Sequence, residues 1–368
     1  MVDEFKKIGW KKIESSDVTA KKLNELILYS DSIIKDNKKK FGKSDFADEI
    51  IKSSFRSILR YSNKSKEFVK SLAKDLVEYN SELKNFYLTP PYIIVHKPND
   101  LKEKGDFHTD TLKFCGKSYT SWTPINDYEM NYAALTFLNK SHTNYLGMTL
   151  KILRKIKFSH NFKKILRFLF IKPVDLIVKK NSSYLWHSDL IHKGNLNPTN
   201  RLHSALVTRI TENPLYYEPT EKISEIIISK NFSNNLDKIS FDHLTSVLFK
   251  ICQIAKEKID FFKYANDLKN NTDENLLKHI SFSLSILSQR FQNELSSNLD
   301  LISCILASEN LVSLERVLAN HKNQDISERL LKEFSIDKNL SYQKTIIIKK
   351  FKNQSIDNLE TQKKLGWI

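Results

Sequence analysis

The chain has 368 residues, 40% of them hydrophobic, which is enough to build a sizeable core in one large domain or two ordinary ones. Its three cysteines, Cys115, Cys252 and Cys304, are widely spaced and form no Cys-x-x-Cys pair, which argues against a disulfide framework or a zinc ribbon and fits a reducing, cytoplasmic setting. The net charge is +16, yet the Lys and Arg residues are not interleaved with aromatics as in a single-strand-binding surface, so no specific nucleic-acid partner is expected.

The opening MVDEFKKIGWKKIESS lacks the apolar stretch of a signal peptide, and no later run reaches the roughly 18 apolar residues that a membrane span needs. A soluble protein without a transmembrane segment is the expectation. Leu23, Leu26 and Ile27, then Phe68, Leu72, Leu76 and Val77, fall on single stripes at three-and-four spacing, which predicts a helical flank over 1–86.

From Tyr87 the texture changes. YLTPPYIIVHKP, GDFHTDTLKF, SYTSWTPIN, YAALTFLNKS, SSYLWHSDLIHKG and RLHSALVTRIT are short β-branched and aromatic runs punctuated by Pro, Gly, Asn and Asp, which predicts strands over 87–220. A basic insert interrupts them. Residues 151–180 hold 10 basic side chains and one acidic, a net of +9 out of the total +16. Within it Ile152, Leu153, Ile156, Phe162, Ile165, Leu166, Phe168 and Leu169 alternate with Lys and Arg as in a basic amphipathic helix. Such a helix is a solvated face, a lid over a phosphate-bearing or carrier-bound substrate, or a peripheral contact with an anionic membrane surface. After Pro219 the 3.6-residue period returns through SVLFKICQIAKEKIDFF, ENLLKHISFSLSILSQRF and ISERLLKEF, which predicts a helical C-terminal domain over 221–368.

The chemistry is expected among the strands. His108-Thr109-Asp110 places an imidazole and a carboxylate two residues apart, and on a strand both point to the same side. His192, just before the Gly194-Asn195 turn and upstream of Arg201 and Arg209, supplies a third ligand from a remote part of the chain. Two neutral imidazoles and one carboxylate on one face are the ligand set of a non-haem Fe(II) centre with open positions. His187-Ser188-Asp189 spells the same pattern, but it would draw every ligand from one segment and leave His108 and Asp110 unexplained. The 108/110/192 set is therefore favoured, with His187 and Asp189 structural. His96, His142, His160 and His203 are read as structural histidines, and Trp122 and Trp186 as core.

Three pieces of this region resemble the phytanoyl-CoA dioxygenase-like branch of the Fe(II)/2-oxoglutarate-dependent oxygenases. FHTDT at 107–111 matches that family's His-x-Asp, and HKGNLN at 192–197 matches its His-x-Gly-x-x-Asn. AALTFLNKSHTNYLG at 133–147 keeps the Ser-His of its strand and turn, with Asn139-Lys140 in place of the usual Pro-Gly.

The resemblance implies an α+β protein with a double-stranded β-helix (jelly-roll) core, a helical N-terminal flank and a mostly helical C-terminal domain. It implies that His108, Asp110 and His192 bind Fe(II) and that an arginine pairs with the far carboxylate of 2-oxoglutarate. Arg201 is the first choice and Arg209 the second, because His203 stands where the family usually has this arginine. The implied activity is hydroxylation of a small or carrier-linked organic substrate with O2, as 2-oxoglutarate is decarboxylated to succinate. The Asp110 carboxylate disfavours the halogenating variant, which needs that ligand position open. The alternative is a non-catalytic jelly-roll binding or scaffold protein with a vestigial metal site.

Overall fold

The computed structural model describes residues 2–37, 45–96, 107–110, 116–125, 133–143, 173–200, 203–214, 220–229, 239–256 and 261–290. In chain order these form α1 (Val2–Ile8), β1 (Trp10–Glu14), α2 (Asp17–Asn37), α3 (Asp45–Tyr61), α4 (Asn63–Tyr79), β2 (Tyr87–Leu88), β3 (Tyr92–His96), β4 (Ser118–Pro124) and β5 (Ala133–Leu138). Then come β6 (Pro173–Ile177), β7 (Ser182–His187), β8 (His192–Gly194), β9 (His203–Thr211), β10 (Glu221–Lys222), α5 (Ile223–Ile228), α6 (Phe241–Lys256), α7 (Phe261–Asn271) and α8 (Glu274–Arg290). The protein is α+β, with antiparallel sheets and helices.

Two compact units share the chain. The first comprises residues 1–27, 67–214 and 220–230, and the second comprises 28–66, 215–219 and 231–368. These limits differ from the expected segments 1–86, 87–220 and 221–368, because chain from the expected N-terminal flank enters both units.

In the first unit all strand pairs are antiparallel. A larger sheet runs β1-β7-β4-β9-β2-β10 with β3 also on β9, and a smaller one runs β6-β5-β8. Trp122, Tyr184, Trp186, Ala205 and Val207 of the larger sheet share one buried core with Ala134, Leu135, Phe137 and Leu176 of the smaller. Alternation along the strands puts Trp122, Tyr184, Trp186, Ala205 and Val207 on one face, while β5 has a register shift between Ala133 and Leu135.

The expected helical flank is corrected at Trp10–Glu14, which forms the edge strand β1. Here pairing along β7 and burial outweigh local propensity. The Trp10 ring lies 5.4 Å from Phe137, and its Nε1 donates to Asn139 Oδ1 at 2.8 Å. Gly9 makes the bend into β1 with φ +94, and an added Cβ there would collide with the His142 imidazole. The insert is corrected at its C-terminal end, where Pro173–Ile177 is strand β6 on β5. The amphipathic helix expected over 151–172 lies outside the described residues.

Two helix starts carry side-chain caps. Ser16 Oγ accepts the Thr19 N–H at the head of α2, and Asp273 Oδ1 accepts the N–H groups of Asn275 and Leu276 at the head of α8. In the second unit α3 packs against α6 and α8, burying Ile50, Leu59, Leu244, Leu248, Ile251, Ile280, Leu284 and Leu287. No helix among the described residues is long and apolar enough to cross a membrane.

Candidate metal centre

The centre is built on a backbone pairing. His108 N donates to His192 O at 2.8 Å and His192 N donates back to His108 O at 2.9 Å, so the two residues are a directly opposed antiparallel pair. Opposed residues project to the same side, and the two imidazole centroids stand 4.5 Å apart. On its other side His192 is held by β8 pairing with β5, where it faces Phe137.

Asp110, two residues beyond His108, swings its carboxylate toward this pair, with Oδ2 at 3.5 Å from His192 Nε2. One ligand atom from each of His108, Asp110 and His192 lies within 4.8 Å of the others. Among the described residues this is the one group of three or more His, Cys, Asp or Glu side chains so placed.

The proton positions suit a metal. His192 Nδ1 lies 2.9 Å from the Leu190 carbonyl, which can only accept, so Nδ1 carries the hydrogen and the neutral ring presents a bare Nε2 to the centre. Burial pushes the His192 imidazole below its ordinary pKa, and His108 and Arg209 act the same way against the pull of Asp110. The ring is therefore held neutral, as ligation requires. Its aromatic surroundings are Trp186 at 5.1 Å and Phe137 at 6.1 Å between centroids.

At Asp110 burial acts to raise the carboxyl pKa. The Arg209 and His192 charges and the hydrogen bonds from Arg209 and Thr120 override it and hold the group well below the usual carboxylate range. Its Oδ2 accepts from Thr120 Oγ1 at 2.9 Å, from Trp186 Nε1 at 3.2 Å and from Arg209 NH1 at 2.5 Å. Two imidazoles with one anionic carboxylate form a donor set that fits Fe(II) better than a hard, oxygen-only cation.

His108, Asp110 and His192 thus converge, and Arg209 is drawn to Asp110, with its guanidinium carbon 5.8 Å from the Tyr92 ring. Arg201 lies outside the described residues. The competing pair stays separate from the group: Asp189 N donates to His187 Nδ1 at 3.1 Å, and His187 N donates to Gly9 O.

The Ser141-His142 turn has a local bonding role. Ser141 Oγ accepts the Ile191 N–H at 2.8 Å and His142 Nε2 meets the Lys6 carbonyl at 2.9 Å. Sequence reasoning missed Thr120 as a site residue and took Trp186 as core alone. Trp186 is indeed buried, at 2% exposure, but its indole N–H also serves the carboxylate.

No family model matches the chain, and no curated protein matches it. Among solved structures it is similar to the non-heme α-ketoglutarate-dependent carbocyclase SnoK from nogalamycin biosynthesis, at 10% identity and a TM-score of 0.35 over 57% of this chain and 82% of that one. It is similar to AviO1 from Streptomyces viridochromogenes at 11% identity and a TM-score of 0.39, over 59% and 96% of the two chains. A third neighbour is the epimerase SnoN in complex with Fe3+, α-ketoglutarate and nogalamycin RO, at 11% identity and a TM-score of 0.34 over 57% and 81%. At such scores the likeness transfers neither residue roles nor activity, and the assignment rests on the geometry of the centre.

Proposed function

We propose that this chain is an Fe(II)- and 2-oxoglutarate-dependent dioxygenase of the phytanoyl-CoA dioxygenase-like type on a jelly-roll core, hydroxylating a small or carrier-linked organic substrate. The observation that carries the proposal is the meeting of two imidazoles and one carboxylate from remote parts of the chain, with the His192 tautomer set by Leu190. His108, Asp110 and His192 would hold the iron. When bound, iron with 2-oxoglutarate and O2 supplies the oxidising power that converts a substrate C–H to C–OH, as 2-oxoglutarate becomes succinate and carbon dioxide.

The chain's own contribution is placement and exclusion of water. The backbone pair 108/192 fixes two ligands at once, and Trp186 and Phe137 shield the imidazole of His192 from solvent. A planar guanidinium matches the far carboxylate of 2-oxoglutarate. Arg201 is the proposed partner, because the NH1 of Arg209 is already engaged by Asp110 and Thr120.

The test is succinate formation from 2-oxoglutarate by the purified chain with Fe(II) and O2, without added substrate. Slow succinate release that is lost in His108→Ala is expected. Release that is absent from the wild type, or undiminished in His108→Ala, favours the scaffold reading.

A further inference from the structure

Three strands of the larger sheet carry a single row of opposed residues through the centre. Trp186 of β7 faces Thr120 of β4, and Thr120 faces Arg209 of β9. The row continues outward, because Trp186 also faces Trp10 of β1. Directly opposed residues point to the same face of a sheet, so the indole, the hydroxyl and the guanidinium stand side by side.

All three send a polar hydrogen to one atom. Every hydrogen bond and ion pair of Asp110 among the described residues falls on Oδ2: from Thr120 Oγ1, Trp186 Nε1 and Arg209 NH1, with His192 Nε2 at 3.5 Å. A carboxylate oxygen offers about two lone-pair directions. Three donors on one oxygen use up these directions and fix how the carboxylate is turned.

We infer that the row Trp186–Thr120–Arg209 is a positioning device that holds the Asp110 carboxylate through Oδ2 beside His192, which makes Arg209 a partner of the ligand and not of the co-substrate. This rests on the metal-centre reading above. The three residues act through Asp110 and are positioning residues. Their donors come from a rigid sheet, whereas Asp110 itself lies outside any strand, so the sheet lends the loop carboxylate an orientation that its own backbone does not supply.

The experiment is titration of the full chain with Co(II) alone, followed by visible absorption and calorimetry. Thr120→Val and Trp186→Phe remove neutral donors without changing charge, and each is expected to weaken Co(II) binding about tenfold. Thr120→Ser keeps the hydroxyl and should bind like the wild type.

Thr208→Val, at a buried threonine one position from Arg209 on the opposite face of β9, controls for the loss of a buried hydroxyl and should leave affinity unchanged. For Arg209→Met at saturating iron, a fall in kcat with an unchanged KM for 2-oxoglutarate is expected. Wild-type Co(II) affinity in Thr120→Val and Trp186→Phe, with binding lost in His192→Ala, would overturn the row and leave the metal centre standing. Failure of the wild type to bind Co(II), or unaltered binding in His192→Ala, would overturn both.

Discussion

Both units bury polar side chains, but they satisfy them differently. In the helical unit the partners are mostly local: Ser54 Oγ donates to the Ile50 carbonyl, and the Ser62 and Ser65 hydroxyls donate to the Leu59 carbonyl. Two pairs there are long-range, Ser57 with His279 Nδ1 at 2.8 Å and Ser283 Oγ donating to the Ser53 carbonyl at 3.3 Å, and all four residues are fully buried. Around Asp110 every donor comes from a different strand and all converge on a single anion.

Local satisfaction removes the cost of burying a hydroxyl. Convergence on one carboxylate buries a charge, whose desolvation the Arg209 guanidinium and the Thr120 and Trp186 donors offset. A buried histidine is therefore not by itself a sign of function. What distinguishes His192 from His279 is the company of His108 and Asp110.

The largest contrast is expected from removing each histidine. His192→Ala should abolish divalent-metal binding, whereas His279→Ala should retain it and cost about 1–3 kcal/mol of stability by leaving Ser57 without its ring partner. Metal titration paired with urea unfolding reads both, and metal loss in His279→Ala would erase the distinction.

Phe137→Ala sharpens it from the packing side. Phe137 is fully buried and its ring stands 6.1 Å from His192, so a cost of about 3–5 kcal/mol should come with weaker metal binding. Stability loss with unchanged metal affinity would show that the aromatic floor has no part in holding the ligand.

The smallest effect concerns Tyr184. Burial pushes its phenol above the ordinary value against the Lys179 N–H that it accepts. The folded state therefore keeps the proton more tightly than the unfolded chain. The associated stability is intact below the unfolded phenol pKa of about 10 and declines as pH rises through the folded value. Tyr184→Phe should flatten that alkaline decline in urea midpoints, and an equally steep decline would assign it to other tyrosines.

The candidate set His108, Asp110 and His192 was legible as a residue pattern. The strand parity expected to put His108 and Asp110 on one side does not apply, because His108 sits on an isolated bridge and Asp110 outside any strand. The backbone pairing of His108 with His192 was not legible, since β8 is three residues long and register is set by partners, not by local pattern. Arg209 could be placed inward by parity, but its partner could not be named, because Asp110 lies outside any strand. Trp10–Glu14 read as part of a helical flank because a five-residue edge strand with two lysines has little periodicity of its own, and its pairing with β7 decides it. The broad change from helix to strand near Tyr87 was visible because β-branched and aromatic runs bounded by Pro and Gly fit a pleated, half-buried surface.

The most direct measurement is the visible spectrum of the purified chain under anaerobic conditions as Fe(II) and then 2-oxoglutarate are added. A weak charge-transfer band that needs both additions and vanishes in His108→Ala and His192→Ala is the predicted result. A wild-type spectrum unchanged by either addition, or a band that persists without the two histidines, would contradict the account.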